Sequence, residues 1–420
     1  MTAELAPVAT DAAEFLHELS AVVDQAKTGA AQRDSTRGYA RAEIDALRRI
    51  GFWSLTVPAE YGGLGLGPDT LIQGILALAG ADASLGQIPQ NHFMSAERIR
   101  LTTTGGQRAH WLEILGAGAL FGNATAEGGE PHPGDHGTRL HRRGDGWRLT
   151  GRKVYATGSI LADHIAVAAR DDTDTPRTVL VGTTAGGVVL HDDWQGLGQR
   201  TTASGAAEFH DVVVDPIAAL PTTADPVATY RVSALGQLIH AAIDAGIALG
   251  ALDEAVSLGR RAHGGRGSGV PTFDADVLGV AQLGDLHIAA LSSRRLVESA
   301  AARLADLHEN SDIAEAVDAF YEVAAAKAVS ARAALTVTSE LFEIGGTSST
   351  RPALGLDRYW RDARTHTLHD AARWKPHSIG RWLLAGDVAD PWSIGYPFRH
   401  LEDLRTGQHD AGHQNGRENP

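Results

Sequence analysis

Two histidines and an aspartate lie close together near the carboxyl end of the chain and could carry proton-transfer chemistry. His366 and His369 are three residues apart, and Asp370 follows directly. An imidazole changes its protonation state near neutral pH, so it can hold or donate a proton at an active site. A carboxylate here could act as a base or could cap a helix that begins near Ala371, and we favour the cap.

Two further polar side chains stand out earlier in the chain. His92 lies in a region of helical spacing, where a lone histidine is more often structural than functional. Asn123 offers an amide that can both donate and accept a hydrogen bond, although asparagine is also common in turns. His92, His366 and His369 could in principle bind a metal ion. No spacing such as His-Glu-x-x-His accompanies them, so we predict no metal site.

An aromatic and a hydroxyl side chain, Tyr155 and Thr157, alternate in a predicted strand, which is also ordinary for a strand. A glycine-rich loop after a long helix carries Arg260, Arg261 and Arg266. Guanidinium groups suit phosphate oxygens, and glycine lets backbone amides approach an anion. A solvated loop explains the same residues equally well, so a phosphate site remains one of two interpretations.

Hydrophobic spacing divides the chain into three parts that would position these residues. Apolar residues such as Phe15, Leu19 and Val22 recur at helical spacing from about residue 9 to 120. From about 122 to 220 the pattern alternates as strands do. Helical spacing then resumes in the segments 231–262, 274–308, 312–342 and 370–384. The sequence therefore predicts an α–β–α order.

Composition and charge restrict the class of protein. At 420 residues the chain is long enough for two or three domains. The formal net charge of −14 argues against nucleic acid or an anionic membrane surface as a partner. No apolar run is long enough to span a bilayer and no signal peptide is evident, so we expect a cytoplasmic protein. Zero cysteines exclude disulfides and cysteine-ligated metals.

Several motifs resemble those of the acyl-CoA dehydrogenase superfamily, over roughly residues 15 to 390. A Gly-Gly turn at 345–346 precedes Arg-Tyr-Trp-Arg-Asp-Ala at 358–363, and the segments 57–65 and 194–205 match two further signatures. Where many dehydrogenases place a catalytic glutamate, this chain has Leu-His-Asp at 368–370. In that respect it more closely resembles the flavin-dependent monooxygenases of the superfamily.

The resemblance implies an α+β fold of several domains. We expect an N-terminal helical domain at 1–120, a middle β-barrel domain at 121–225 and a C-terminal four-helix bundle at 226–400. Residues 401–420 are rich in polar side chains and are expected to form a flexible tail. A homotetramer is implied by the resemblance alone.

The resemblance also assigns roles to individual residues. Tyr155 takes the place of an aromatic residue that packs on the flavin ring, and Thr157 that of a threonine at the polar edge of the flavin. The catalytic residues implied are His92, Asn123 and His369. The cofactor-binding residues implied are Tyr155, Thr157, Arg261, Arg266 and His366.

The reaction implied is that of a two-component monooxygenase. A separate NAD(P)H:flavin reductase would supply reduced FMN, with FAD as the alternative flavin, because no part of the chain resembles an NAD(P)H site. Dioxygen would add to the flavin to give a C4a-hydroperoxide, which His92 and His369 would hydrogen-bond. The distal oxygen would then pass to a sulfur or nitrogen atom of a small organic substrate.

Three alternatives stay open at this point. The chain could be an acyl-CoA dehydrogenase that uses FAD and takes Asp370 as its base. It could be the oxygenase component of an aromatic-ring hydroxylase. It could also be a non-catalytic relative that binds a flavin or an acyl group.

Overall fold

The N-terminal part is helical, as its hydrophobic spacing predicts. The computed structural model describes residues 11–128, 137–223, 225–265, 267–308, 310–392 and 397–406. Phe15, Leu19 and Val22 are buried on one face of the first helix, and Asp11 caps that helix by accepting from the backbone N–H of Glu14. The helices span Ala12–Thr36 (α1), Arg41–Arg49 (α2), Pro68–Ala81 (α3), Ala83–Gln87 (α4), Pro89–Thr102 (α5) and Gly105–Gly116 (α6).

The middle part contains one eight-stranded mixed sheet. Its strands span Phe121–Ala124 (β1), Arg139–Arg143 (β2), Gly146–Lys153 (β3), His164–Asp171 (β4), Pro176–Gly182 (β5), Val188–Leu190 (β6), Ala207–Val214 (β7) and Ala219–Leu220 (β8). The strand order is β6-β7-β3-β2-β4-β5-β8, and β1 pairs in parallel with β4. The alternating pattern around residues 147–150 and 206–214 therefore predicted real strands.

The predicted β-barrel is wrong, because the sheet is open. No described strand joins β6 at one end of the order to β8 at the other. Side chains of α6 satisfy carbonyl oxygens at the β8 edge instead. Gln107 Nε2 donates to the carbonyls of Ile217 and Ala219, and Trp111 Nε1 donates to that of Ile217. An edge covered by a helix needs no further strand to close it.

The C-terminal part is built on three long helices that pack against one another. They span Pro226–Gly259 (α7), Val277–Ala305 (α8) and Ile313–Gly345 (α9), and the predicted break at 264–271 lies between the first two. Most of α7 is buried, and 89% of its most apolar 18-residue stretch lies inside the protein. Among the described residues, it is the one helix long and apolar enough to cross a membrane, and its burial is that of a core helix.

The remaining elements differ in part from the prediction. Asp357–His366 (α10) was not predicted as a helix, and the fourth predicted helix begins at Trp374 and not at residue 370. A short helix lies inside the predicted tail, whose residues 407–420 fall outside the described residues. These last elements span Trp374–Ala385 (α11), Asp387–Ala389 (β9), Phe398–His400 (β10) and Leu401–Thr406 (α12).

The loop between β6 and β7, residues 191–206, connects all three parts, and we call it the bridging loop. The backbone N–H groups of Gly198 and Gln199 donate to Thr365 Oγ1 and Asp362 Oδ1 on α10, at 2.9 and 2.5 Å. The Gln199 side chain donates to the carbonyl of Ala83 on α4 at 3.2 Å. The sheet is thereby held against helices of both other parts.

Candidate functional site

Asn123 and Thr157 are brought together at one end of the sheet. The backbone N–H of Asn123 donates to the carbonyl oxygen of Thr157 at 3.0 Å. The backbone N–H of Ala156 donates to the carbonyl of Gly205 in the bridging loop at 2.8 Å. We call residues 121–124, 155–159 and 202–205 the β wall. Three of the predicted site residues, Asn123, Tyr155 and Thr157, therefore share this surface.

A row of hydroxyl groups runs along the β wall. Thr157 Oγ1 lies 2.8 Å from Ser204 Oγ, which lies 2.7 Å from Thr202 Oγ1. Thr202 donates to the carbonyl oxygen of Gln199 at 2.9 Å, so its proton is used there. Ser204 must then donate to Thr202, and Thr157 to Ser204. The row leaves Thr157 Oγ1 as an acceptor for an N–H or O–H of a ligand.

Tyr155 presents a flat aromatic surface beside this row. Its side chain is 58% exposed, and its ring meets the edge of Trp194 with centroids 5.9 Å apart. Its φ of 55° is unusual for a non-glycine residue, and such strain is most often retained at functional sites. An exposed aromatic ring held in this way can pack against a planar ligand.

The Asn123 side chain is only partly satisfied by the protein. Its Oδ1 accepts from Thr125 Oγ1 at 2.7 Å. No hydrogen bond from Asn123 Nδ2 is present among the described residues, so the amide keeps a donor for a ligand. Asn91 on α5 supports the strand from behind by donating to the carbonyl of Gly122 at 3.0 Å.

His92 lies on α5 and is completely buried. Its Nε2 is 2.6 Å from the carbonyl oxygen of Trp53, and its Nδ1 accepts from the backbone N–H of Phe121 at 3.2 Å. Burial lowers the pKa of His92 to about 4, so the ring is neutral. Both nitrogens are thus used by backbone groups, and the histidine fixes β1 against the N-terminal helices. A direct role in oxygen chemistry stays a prediction that this geometry does not support.

Three histidines gather where α7 meets the end of α10, and we call His240, His366 and His369, with Asp244 and Lys327, the histidine cluster. Asp244 Oδ1 lies 2.5 Å from His366 Nδ1, and its Oδ2 lies 2.6 Å from Lys327 Nζ. His366 Nε2 lies 3.0 Å from His240 Nδ1. The rings of His240 and His369 lie against each other, with centroids 3.8 Å apart and planes tilted by 33°.

His369 is the exposed member of this cluster. No described residue hydrogen-bonds either nitrogen of its ring. Displacement of water by the surrounding protein lowers the pKa of His369, Asp370 opposes that shift, and His366 reinforces it. The ring is therefore neutral at pH 7 and keeps both nitrogens for a ligand, one as donor and one as acceptor. His366, by contrast, is buried and paired with Asp244, so it does not reach a ligand in this structure.

Asp370 does not cap a helix, so that expectation is wrong. Helix α11 begins four residues later, with no side chain capping it. The carboxylate instead pairs with the buried Lys375, with Oδ2 and Nζ 2.5 Å apart. Burial by itself would raise the pKa of Asp370, but Lys375, Lys327 and His369 together lower it. The carboxylate is therefore a weak base held by an ammonium group.

The candidate phosphate residues lie elsewhere. Arg261 follows the end of α7 and donates to the carbonyl and hydroxyl oxygens of Ser257 on its own helix. Arg266 lies outside the described residues. The backbone N–H of Gly265 donates to the carboxylate of Asp276, so this amide is already used and does not face a phosphate. The structure does not bring Arg261 to the β wall or to the histidine cluster within one chain.

The sequence interpretation missed His240, Asp244 and Lys327. His240 and Asp244 lie four residues apart within the apolar helix α7, and Lys327 lies in the alanine-rich helix α9. Ionisable side chains inside an apolar helix are rarely buried without a partner. That signal was readable in the sequence, but their meeting with residue 366 depends on the tertiary fold.

Comparisons with known proteins agree with this architecture. Residues 10–119 match the model "Acyl-CoA dehydrogenase, N-terminal domain", and residues 238–374 match "Acyl-CoA dehydrogenase, C-terminal domain". The chain is 32% identical over 380 residues to a dibenzothiophene monooxygenase of Rhodococcus erythropolis, which covers 86% of this chain and 91% of that protein. It is 30% identical over 395 residues to the probable FMNH2-dependent monooxygenase SfnC of Pseudomonas putida, which covers 90% of this chain and 97% of that protein.

A solved structure gives the same result. FMN-bound TdsC from Paenibacillus sp. A11-2 superposes with a TM-score of 0.86 at 29% identity, over 91% of this chain and 100% of that chain. The predicted resemblance is thereby confirmed. The chain belongs to the flavin-dependent monooxygenases of the acyl-CoA dehydrogenase superfamily.

Proposed function

We propose that this chain is the oxygenase component of a two-component system and oxygenates a sulfur or nitrogen atom of a small organic substrate. Reduced FMN would come from a separate NAD(P)H:flavin reductase, and dioxygen would be the co-substrate. Two neighbouring residues carry the proposal. His369 is exposed and has no hydrogen-bond partner among the described residues, and Asp370 is held by Lys375. This site offers a proton donor and acceptor but no free carboxylate base.

The same observation argues against a dehydrogenase. Abstraction of a proton next to an acyl carbonyl needs a carboxylate whose basicity is raised. Lys375 does the opposite to Asp370, because the ammonium group stabilises the charged carboxylate. Dehydrogenation is therefore the second candidate reaction for this site, after oxygenation, although enzymes of both kinds share the fold.

The β wall fits a flavin. Tyr155 offers an exposed ring, Thr157 Oγ1 an acceptor and Asn123 Nδ2 a donor, and all three lie beside one another. When bound, reduced flavin activates dioxygen, and that chemistry belongs to the cofactor. Reduced flavin carries one more ring N–H than oxidised flavin, so an acceptor at Thr157 favours the reduced form. His369 would donate its N–H to bound oxygen, and its other ring nitrogen would accept a hydrogen bond from the ligand.

We also propose a homotetramer. An apolar stripe on α8 is exposed in the single chain, at Val277, Val280, Ile288 and Leu291. Arg261 lies 21 positions beyond His240, which is about 30 Å along a helix. If Arg261 binds the flavin phosphate as predicted, it must do so for a flavin held by another subunit.

Sulfur is the first substrate class to test. Dibenzothiophene, in the name of the Rhodococcus relative, is a sulfur heterocycle, and we carry over only the atom class.

Because a reductase that consumes NAD(P)H must supply the flavin, we infer a cytoplasmic location. FAD remains the alternative flavin, and a comparison of the two in the assay below would decide between them.

The test uses purified protein, FMN, a flavin reductase with NADH, and methyl phenyl sulfide as a probe. We expect no NADH oxidation by the protein alone and formation of the sulfoxide only when reductase and air are both present. An amine and a phenol serve as parallel probes for nitrogen and ring oxygenation. Turnover of an acyl-CoA with an artificial electron acceptor in the absence of oxygen would instead establish the dehydrogenase. Failure to bind reduced flavin would favour a non-catalytic relative.

A further inference from the structure

Helix α7 places two ionisable side chains on one otherwise apolar face. His240 and Asp244 are one helical turn apart, and their exposed fractions are 1% and 0%. A buried charge or imidazole costs free energy unless it is paired and hydrogen-bonded. The partners present, Lys327 on α9 and His366 on α10, join three helices of the C-terminal part.

The hydrogen bonds in the histidine cluster have a definite direction. A carboxylate can only accept, so His366 Nδ1 donates to Asp244 Oδ1. Lys327 already balances the charge of Asp244, and its Nζ also lies 3.4 Å from the carbonyl of His240. Burial lowers the pKa of His366, with Asp244 opposing and Lys327 reinforcing that shift, so His366 is neutral. Its Nε2 must then accept from His240 Nδ1.

His240 is thereby fixed as a neutral ring with its proton on Nδ1. Burial, His369 and His366 all hold the pKa of His240 well below its ordinary value. The charged groups that face this region from neighbouring elements are Lys327, Asp244, Asp370 and Lys375. They form two ion pairs, Lys327 with Asp244 and Lys375 with Asp370. A positive charge on any of the three rings would therefore have no carboxylate left to balance it.

The ring of His369 has no hydrogen-bond partner among the described residues, so something else must fix its plane. Its closest ring contact is His240, with centroids 3.8 Å apart and planes 33° apart. His366 is farther away, at 6.5 Å. This tilted contact with His240 is therefore the one that orients His369 and covers one of its faces.

We propose that His240 is a positioning residue for His369: the Lys327–Asp244–His366 chain locks His240 as a neutral Nδ1–H ring, and that ring covers one face of His369 and holds it in one orientation. The inference rests on the proposed function only for the use made of His369. No hydrogen bond joins the two rings among the described residues, so the proposal requires no proton transfer between them.

The first test needs neither flavin nor turnover. Histidine-selective ¹⁵N labelling and long-range ¹H–¹⁵N correlation spectra of the full-length protein report which nitrogen of each ring carries the proton. Free imidazole side chains prefer the proton on Nε2, so Nδ1–H forms of both His240 and His366 are a specific expectation. An Nε2–H form of His240 would overturn the proposal.

The second test uses a matched pair of variants. His240→Asn keeps an N–H near the position of Nδ1 but removes the ring, and His240→Phe keeps a ring but removes the N–H. In His240→Asn we expect water to reach the uncovered face of His369 and its pKa to rise by about 1 or more. In His240→Phe the ring still covers His369, so its pKa should stay low.

A purely structural role predicts a different outcome. Both variants would then lower the thermal stability, and the titration of His369 would remain that of the unmodified protein. An unchanged His369 titration in a folded His240→Asn protein would overturn the proposal. Because the titration is measured without flavin, a failure of the monooxygenase assay leaves this result interpretable, and the reverse also holds.

Discussion

His369 differs from its two neighbours in the histidine cluster because its ring is exposed and both of its nitrogens are free of described partners. His366 and His240 are buried and hydrogen-bonded to each other. The sequence identified residues 366, 369 and 370 as a chemical centre from their types and spacing. It did not distinguish the exposed histidine from the buried one, because three-residue spacing places both near one site and burial depends on α7 and α9.

Replacement of His369 by alanine should uncouple oxygen consumption from product formation. Loss of a positioned proton donor typically costs roughly 10²–10⁴ in rate. The variant should still bind reduced FMN and consume oxygen but release hydrogen peroxide in place of sulfoxide. Product and peroxide yields per NADH measure this. His210→Ala, at an exposed position on β7, is the control and should couple normally. Unchanged coupling in His369→Ala would remove His369 from the site.

Replacement of Thr157 by valine should weaken the binding of reduced FMN more than that of oxidised FMN. The hydroxyl row makes Thr157 Oγ1 an acceptor, and one hydrogen bond of this kind contributes about 1 kcal/mol. Anaerobic titrations of both flavin forms measure the difference. Thr104→Val removes an exposed hydroxyl that caps no helix N–H and serves as the control. Equal affinities in the two redox states would mean that Thr157 only supports the strand.

At the scale of elements, helix α10 and the bridging loop determine where the histidine cluster lies relative to the β wall. Asp362 on α10 accepts from the backbone N–H of Gln199, and Thr365 accepts from Gly198. The sequence predicted neither this helix nor this junction. Its Arg-Tyr-Trp-Arg-Asp motif has little apolar spacing, and the contacts that stabilise it come from a loop more than 150 residues earlier.

The junction should make stability depend on pH. Burial raises the pKa of Asp362 to about 7 from 3.8, with Asp34 and Asp82 adding to the shift and the Gln199 N–H opposing it. The folded state thus binds this proton more tightly than the unfolded state does. The free energy of unfolding therefore falls as pH rises between about 4 and 7.

Asp362→Asn should flatten that part of the curve, because it keeps the acceptor oxygen and removes the titration. Thermal midpoints measured across the same pH window test this, with the exposed Asp274→Asn as a control. If the asparagine variant loses stability with pH as steeply as the unmodified protein, another group is responsible.

The α–β–α order and the long helices followed from periodicity, whereas the fact that the sheet stays open did not. Strand alternation shows which faces are buried but not which strands become edges. The β8 edge is covered by Gln107 and Trp111 of α6, and that relation depends on tertiary packing.

For the whole molecule, the exposed α8 stripe and the remote Arg261 both lead us to expect that subunits assemble through α8. Ile288→Glu combined with Leu291→Glu places charges on the proposed interface and should give a smaller assembly by analytical ultracentrifugation. If Arg261 serves another subunit's flavin, FMN affinity should fall with the loss of assembly. Val213→Glu, at a 68% exposed position on β7, is the matched control. An unchanged assembly in the α8 variant would show that this face is not the interface.

Rapid mixing of the protein and reduced FMN with oxygenated buffer tests the central claim most directly. A flavin monooxygenase holds the oxygen-derived species in a site from which water is excluded, so its decay is slowed. We expect a transient absorbing species that is neither reduced nor oxidised flavin, and its decay should yield sulfoxide when the sulfide is present. Direct conversion of reduced to oxidised FMN, at the rate of free flavin and without oxygenated product, would contradict the assignment.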